Sequence, residues 1–249
     1  MDSNSLYRTR AELYDRIYHY KDYAVEGERI HELLAARGVV EGALVVEAAC
    51  GTGSFLQHLR HHYRVAGFDL HEPMLKLARH KLCAGGRFCD VRLWQADMTD
   101  FELDPPADAL LCLFSSIAYV FPIEQLAKTA RCFYRAVRPG GVVIVEPFVT
   151  PSKYRHGHAS MQTYDGEDLK LVRCCVGKAE GRRTILDFHW LVATPQLGVD
   201  HFVERHELWL YEQDELLETF ATAGFEAEFT ADGLLPDRGL LLARRPLSH

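Results

Sequence analysis

Hydrophobic positions in the N-terminal stretch ELYDRIYHYKDYAVEGERIHELLAAR recur at helical spacing through Leu13, Ile17, Val25, Ile30 and Leu34, and Gly38 supplies a stop. The run ALVVEAACGTGS then reads as a buried strand entering a tight loop, with a helix over 54–62 after it. YRVAGFDL is a second strand, followed by a helix over 72–82 with Pro73 in its first turn. VRLWQAD is a third strand. ALLCLFSS is a fourth, apolar throughout, as a strand covered on both faces must be. A helix over 123–136 stops at the turn Arg138-Pro139-Gly140-Gly141, and GVVIVEPF is a fifth strand.

This alternation predicts an α/β fold with a mostly parallel sheet and helices on both faces. The rhythm changes over 161–211. LKLVRCCVGK, RRTILDFHWLVAT and VDHFVERHELWLY are strand-like runs with turns at Gly181 and 195–198 and no long helix between them. Three or four antiparallel strands are expected there, as an insertion after strand five. A helix over 213–223 ends at Gly224, and FEAEFTA with RGLLLARR closes the main sheet. The chain therefore divides, within a single domain, into an N-terminal helical segment (1–37), an α/β core (38–150), an antiparallel β insertion (151–211) and a completion of the core (212–249).

Composition narrows the function. A 249-residue chain that is 48% hydrophobic can bury a full core, which excludes a disordered or fibrous protein. The formal net charge of −7, with no long basic cluster, argues against a nucleic-acid partner. No apolar run reaches the roughly 18 residues that would span a bilayer, so no membrane partner is expected. Seven cysteines without a C-x-x-C, behind an N-terminus with no signal-like character, suggest reduced thiols and a cytoplasmic setting. The thirteen histidines show neither H-E-x-x-H nor zinc-ligand spacing, so no metal is expected.

The strongest chemical signal is Glu47-Ala48-Ala49-Cys50-Gly51-Thr52-Gly53-Ser54 between a strand and a helix. Glycines there let backbone approach a ligand closely. Asp69 ends the next strand, 18 residues after Gly51, where a carboxylate can accept hydrogen bonds from both hydroxyls of a ribose. The dinucleotide fingerprint needs a third glycine where Leu56 stands, so a dinucleotide is disfavoured. Glu47 before the loop suits an ammonium better than a pyrophosphate. With Asp97 at the end of strand three, acids close three consecutive strands. That arrangement suits a cationic nucleoside such as S-adenosylmethionine.

EAACGTGS, GFDL, QADM and the RPGG turn before VVIVEPF resemble the motif series of class I S-adenosylmethionine-dependent methyltransferases, whose fold is a Rossmann-like, mostly parallel seven-stranded sheet. The resemblance implies that Gly51 and Gly53 line the methionine part of the cofactor, that Asp69 holds the ribose, and that Asp97 with Met98 flanks the adenine opposite Leu70. Tyr14, Glu47, Ala49, Met74 and Phe114 complete the implied cofactor set. ELYDRIYHYKDYAVE, LFSSIAYV, VVIVEPF, HFVERHEL and DRGLLLA are further similar, in order and spacing, to the bacterial N-methyltransferases of dTDP-linked amino sugars, of the desosamine and mycaminose type.

That second resemblance implies residues 1–37 as a lid. Tyr14 and Tyr23 would be walls over cofactor and acceptor, and Ser116, Tyr119 and Phe148 would face the acceptor. Glu146 would sit beside the methyl-accepting atom, and Arg238 would contact a diphosphate. Three positions depart from the subgroup: Pro147-Phe148-Val149-Thr150-Pro151 replaces a Trp-rich stretch, Pro236-Asp237-Arg238-Gly239 replaces Ser-Gly-Arg-Gly, and Tyr119 stands where a His can occur. An amine acceptor must react neutral, so Glu146, Tyr119 and Tyr14 are the catalytic candidates. A phenol is a poor base at neutral pH, which suits Tyr119 to orienting the acceptor. The reading at this point is methyl transfer to the amine of a nucleotide-linked amino sugar. O- or N-methylation of another natural product and a non-catalytic S-adenosylmethionine-binding protein stay open, as does a homodimer.

Overall fold

The computed structural model describes residues 5–83, 91–235 and 237–247. Cys89 and Pro236 lie outside these residues. In chain order the elements are α1 (Ser5–Arg8), α2 (Tyr14–Ile17), α3 (Tyr23–Ala35), β1 (Leu44–Ala48), α4 (Ser54–Leu59), β2 (Arg64–Asp69), α5 (Glu72–Cys83), β3 (Arg92–Gln95), β4 (Ala107–Cys112), α6 (Ile123–Ala136) and β5 (Val137–Val145). There follow β6 (Ala159–Asp165), β7 (Lys170–Val176), β8 (Lys178–Glu180), β9 (Arg183–Thr194), β10 (Gly198–Trp209), α7 (Gln213–Thr222), β11 (Glu226–Thr230) and β12 (Leu240–Arg244). One sheet has seven strands in the order β11-β12-β5-β4-β1-β2-β3. β1 to β5 are parallel, and β12 is antiparallel to both of its neighbours, β5 and β11, so that β11 runs in the direction of β5.

Side-chain alternation explains why the parallel strands are apolar throughout. Val46, Ala48, Phe68, Leu110, Cys112, Val143 and Val145 enter the core under α6 and α7. Val45, Val65, Ala109, Leu111, Val142 and Ile144 enter the opposite core under α3 to α5. With both faces covered, only the strand ends are open to a ligand. The chain leaves β1 toward β2 on one side and returns through β4 on the other. The carboxyl ends of β1 and β4 therefore flank a topological switch point, where open α/β sheets bind ligands.

The insertion is a second, antiparallel sheet of five strands, in the order β10-β9-β7-β6 with β8 on β9. That is one strand more than expected, because Gly177 breaks LKLVRCCVGK into β7 and the short β8. The N-terminal segment is not one long helix. It forms α1, a 3₁₀ turn at Ala11–Leu13 and α2, and a new helix starts at α3. Asp22 caps α3 by accepting hydrogen bonds from the amides of Ala24 and Val25. The break rotates Val25 to the surface, where it is 66% exposed, while Leu13 and Ile17 pack with Leu6, Leu171 and Trp190. The Arg138–Gly141 segment is no free turn either. It lies inside β5 as an irregularity in the pairing with β4, and Gly140 takes a φ of 79°.

No helix among the described residues is long and apolar enough to cross a membrane. Cys50, Cys112, Cys132, Cys174 and Cys175 are free, whereas Cys83 is disulfide-bonded, which corrects the expectation of reduced thiols at that position.

Trp190 ties the N-terminal segment to the second sheet. It is fully buried and stacks on Phe202 with ring centroids 5.6 Å apart. Trp190→Ala is expected to destabilise the protein by about 3–5 kcal/mol, because the cavity left cannot refill. A urea midpoint unchanged from wild type would refute this.

Candidate active site

A cavity of about 1100 Å³ opens over the carboxyl edge of the parallel strands, roofed by the N-terminal segment and walled by the second sheet. Of the cofactor residues implied by sequence, Tyr14, Glu47, Ala49, Gly51 and Phe114 line it. Gly51 adopts a φ of 54° there. Gly53 also has a positive φ but is buried, and a Cβ on it would lie 3.1 Å from Leu82 and 3.3 Å from Ala78. Its small size serves the approach of α5 rather than the cavity. Met74 is buried beneath the loop, its methyl 3.5 Å from where a Cβ of Gly51 would lie.

Asp69 fixes the loop to the end of β2. One carboxylate oxygen accepts from the Gly51 amide at 2.9 Å and the other from the His71 amide at 2.9 Å. Each oxygen keeps a lone pair for a further donor. Leu70 is half exposed beside it. Asp97 is exposed at the end of β3 and accepts from the Thr99 amide at 2.8 Å, while Met98 packs on the core. These four residues run along the sheet edge, outside the lining of the main cavity.

Glu47, 3% exposed, ends β1 with its Oε2 lacking any hydrogen-bond partner. Burial pushes its carboxyl well above the usual range, and the neighbouring Asp69 adds to the effect. A buried carboxylate oxygen without a donor is costly unless a ligand supplies one. An α-ammonium does so, which is how the residues present fit S-adenosylmethionine.

The roof is held by contacts that sequence patterns did not announce. Asp15 accepts from the Thr52 hydroxyl at 2.6 Å and pairs with Lys81 at 2.8 Å, so α2 is latched onto the glycine loop. Tyr14 stands between Tyr7 and Tyr18, with ring centroids 6.1 and 4.8 Å away. Tyr23 lies edge-on to Phe55. Lys21 is buried in an ion pair with Glu26, its ammonium 4.7 Å from the centre of the Phe114 ring.

On the acceptor side, Ser116, Tyr119, Tyr23, Phe148 and Arg238 line the cavity, and Glu146 does not. Glu146 is fully buried, and its Oε2 accepts from the Phe114 amide at 2.7 Å. Its Oε1 has no hydrogen-bond partner and lies 4.0 Å from Nη1 of Arg238. Burial raises its carboxyl, and Arg238 works against that rise. Arg238 donates to the Ser115 hydroxyl at 2.5 Å and sits over the rings of Phe148 and Phe114. The Ser116 hydroxyl donates to the Leu113 carbonyl at 2.9 Å.

Tyr119 begins a chain of polar contacts. Its hydroxyl lies 2.5 Å from Nδ1 of His206 and 3.1 Å from the Tyr7 hydroxyl. Nε2 of His206 faces Oε2 of Glu204 at 3.1 Å, and Oε1 of Glu204 accepts from the Leu6 amide at 2.9 Å. The signal for this pair was available. In HFVERHEL, Glu204 and His206 alternate with Phe202 and Leu208 on one strand face, and an acid and an imidazole at inward positions need partners.

Elsewhere, Glu28, His31 and His62 bring potential donor atoms within 4.8 Å of one another. The two rings stack 3.8 Å apart and Nδ1 of His31 meets the Tyr63 hydroxyl, so the in-plane lone pairs do not converge on one point.

A parallel sheet with this strand order, a glycine loop after β1, and carboxylates at the ends of β1 and β2 define the class of S-adenosylmethionine-dependent methyltransferases. A methyltransferase-domain family model matches residues 45–141. The chain is 34% identical over 226 residues to dTDP-3-amino-3,4,6-trideoxy-alpha-D-glucopyranose N,N-dimethyltransferase of Streptomyces venezuelae, covering 90% of this chain and 92% of that one. The crystal structure of Streptomyces venezuelae DesVI superposes with a TM-score of 0.86 at 33% identity, over 96% of this chain and 98% of that one. CalS10 of Micromonospora echinaspora, an amino pentose methyltransferase solved with S-adenosylmethionine bound, gives a TM-score of 0.81 at 29% identity over 94% and 96% of the two chains. The chain belongs to the class I S-adenosylmethionine-dependent methyltransferases, in the group that includes the dTDP-amino-sugar N-methyltransferases. Its cofactor is S-adenosylmethionine.

A cofactor ammonium received by Glu47 is expected to make cofactor binding pH-dependent. In the empty site burial and Asp69 hold its proton above the usual carboxyl range, and an ammonium at Oε2 favours the carboxylate. Binding then releases a proton. Affinity should rise with pH between the ordinary glutamate pKa of about 4.3 and the raised value. Calorimetry at fixed pH in buffers of different ionisation enthalpy should give different heats, and Glu47→Gln should abolish that difference. Buffer-independent heats in the wild type would show Glu47 ionised before the cofactor arrives.

Proposed function

We propose that this chain methylates the amine of a nucleotide-linked amino sugar. The observation that carries the reading is similarity along nearly the full chain, second sheet included, to N-methyltransferases of such sugars. The glycine loop alone would be compatible with any acceptor. The second sheet and the segment over it build the acceptor half of the cavity, and that half is part of the likeness.

When bound, the cofactor supplies an electrophilic methyl group on a sulfonium. Glu47 holds an ammonium at the end of β1, and the second lone pairs of Asp69 are free for ribose hydroxyls. The roof of tyrosines, latched through Asp15, excludes water and presents aromatic faces that favour a cationic centre. Positioning supplies much of the rate in such a transfer.

The acceptor amine must lose a proton to react, and a methylated ammonium must lose another before a second transfer. Tyr119 with His206 offers the route. Burial pushes the Tyr119 phenol up, so it rests protonated. It can take a proton from the amine nitrogen on its oxygen while its own proton passes to Nδ1 of His206. Glu204, whose Oε2 lies 3.1 Å from Nε2 of His206 without hydrogen-bond geometry, favours the imidazolium that results by its charge. Glu146, being covered, acts here by holding Arg238 and the turn at Phe114–Ser115 in place.

Mass spectrometry of dTDP-amino sugars, unrelated amines and phenols incubated with protein and S-adenosylmethionine tests the acceptor. A gain of one or two methyl masses on an amino sugar is expected. A gain confined to a phenol or another amine would overturn the reading while leaving fold and cofactor intact.

Removing the proton route should matter to turnover and not to cofactor affinity. His206→Gln is expected to lower kcat by about 10²–10³-fold, within the range of general acid–base contributions. The loss should shrink as the pH is raised and the free amine becomes abundant. A kcat equal to wild type at neutral pH would remove His206 from the mechanism.

A further inference from the structure

We propose that Arg173 is the receptor for an anionic group of the acceptor, a phosphoryl oxygen of its nucleotide diphosphate. The proposal rests on the nucleotide-sugar reading for the identity of the anion, and on the following geometry for the existence of the site.

Arg173 projects inward from β7 into the cavity and is 4% exposed. Its guanidinium is sandwiched by aromatic rings, 4.8 Å from the Tyr18 centroid, 4.5 Å from Phe188 and 5.4 Å from Trp190. Among the described residues it forms no ion pair. The other cations around the cavity are differently placed, and Arg155, which also forms no ion pair among the described residues, is exposed to solvent rather than buried. Lys21 is paired with Glu26, Lys153 lies 3.5 Å from Asp237, and Arg238 faces Glu146. Glu204, the buried acid of β10, two strands away from β7 across β9, is turned toward His206 and the Leu6 amide.

A buried guanidinium with only neutral partners carries a desolvation cost that aromatic faces offset in part. A ligand anion would offset the rest. The hydrogen bonds show where it would sit. Nε and Nη2 donate to Oε1 of Gln162 at 3.3 and 3.1 Å, and Nη1 donates to the Tyr18 hydroxyl at 2.9 Å. Arginine has five N–H donors, so one N–H on each Nη is left over. In the proposed complex these two remaining donors meet two oxygens of one phosphoryl group, the fork that a guanidinium can offer. Gln162 and Tyr18 hold the guanidinium plane rigid, and no carboxylate competes for the fork.

Arg173, Arg238 and the exposed ring of Tyr20 all line the cavity. Arg238 is partly committed to Ser115 and Glu146, whereas Arg173 has its free fork. Arg173 is thus the stronger anion contact of the two, although the terminal-motif arginine was the one singled out by sequence.

Calorimetry of the wild type, Arg173→Gln and Arg173→Lys with dTDP, thymidine and inorganic pyrophosphate tests this. Thermal melting and S-adenosylmethionine affinity serve as checks on folding. Wild type should bind dTDP more tightly than thymidine. Arg173→Gln should weaken dTDP and pyrophosphate at least tenfold and leave thymidine unchanged. Arg173→Lys, which keeps the charge and loses the fork, should fall between. Wild-type affinity for dTDP in a folded Arg173→Gln protein overturns the proposal, as does a wild type that binds neither dTDP nor pyrophosphate. If no nucleotide sugar is methylated but Arg173→Gln still loses pyrophosphate, the anion site stands and the nucleotide-sugar reading falls.

Discussion

Two carboxylates, Glu47 and Glu146, end neighbouring regions of the parallel sheet with one oxygen each that accepts no hydrogen bond among the described residues. Neither could stay there at low cost in a protein without ligands, since an unmet buried acceptor costs about 1–3 kcal/mol and a buried charge more. The surrounding structure is arranged around that constraint. One oxygen of Asp69 ties down the glycine loop through the Gly51 amide and the other takes the His71 amide. Phe114 and Ser115 take positive φ values, and the Phe114 amide serves Glu146 while the Ser115 hydroxyl serves Arg238. Lys21 is drawn under the roof, paired with Glu26 and close enough to both acids to oppose the rise of their pKa values.

The roof follows from the same logic. A site that relies on buried charge works only if water is excluded, because screening would weaken each interaction. Four-residue helices such as α1 and α2 have no stability of their own. They are held by what they touch: Leu6, Leu13 and Ile17 against Leu171 and Trp190, Asp15 against Thr52 and Lys81, and the Leu6 amide against Glu204. These contacts reach both sheets at once. The segment therefore closes the cavity only when the glycine loop and the second sheet are both in place.

Much of this was legible in the sequence, and what was not has physical reasons. The helix over 123–136 and the parallel strands were readable because their burial is periodic or complete. The glycine loop and Asp69 were readable because backbone needs there restrict residue choice. The N-terminal helix was misread because Leu13, Ile17, Val25 and Ile30 keep helical spacing across a break that only the Asp22 cap reveals. The Arg138–Gly141 turn was misread because its residues fit a turn as well as a bulged strand, and pairing with β4 decides between them. Asp15, Lys81 and Arg173 were invisible for another reason: each is an ordinary charged residue until tertiary structure puts an unmatched partner, or none, beside it. Glu146 was placed correctly at the end of β5, yet its burial behind Arg238 depends on a residue 92 positions away.

The two sheets contribute opposite signs to one cavity. The parallel sheet supplies acids at its strand ends, and these suit a ligand that carries ammonium and sulfonium charge. The antiparallel sheet supplies Arg173, held between rings without an acid of its own. Arg238, from the turn before β12, sits between the two regions and touches both, through Glu146 on one side and the Phe148 ring on the other. On the proposed assignment, the charges of such a cavity favour a cation toward the glycine loop and an anion toward β7. The reacting amine, attached to the anionic acceptor, is then left near the middle, where Tyr119 and its imidazole stand. On that assignment the order of charges along the cavity sets two polar ligands against each other and disfavours an exchange of their places.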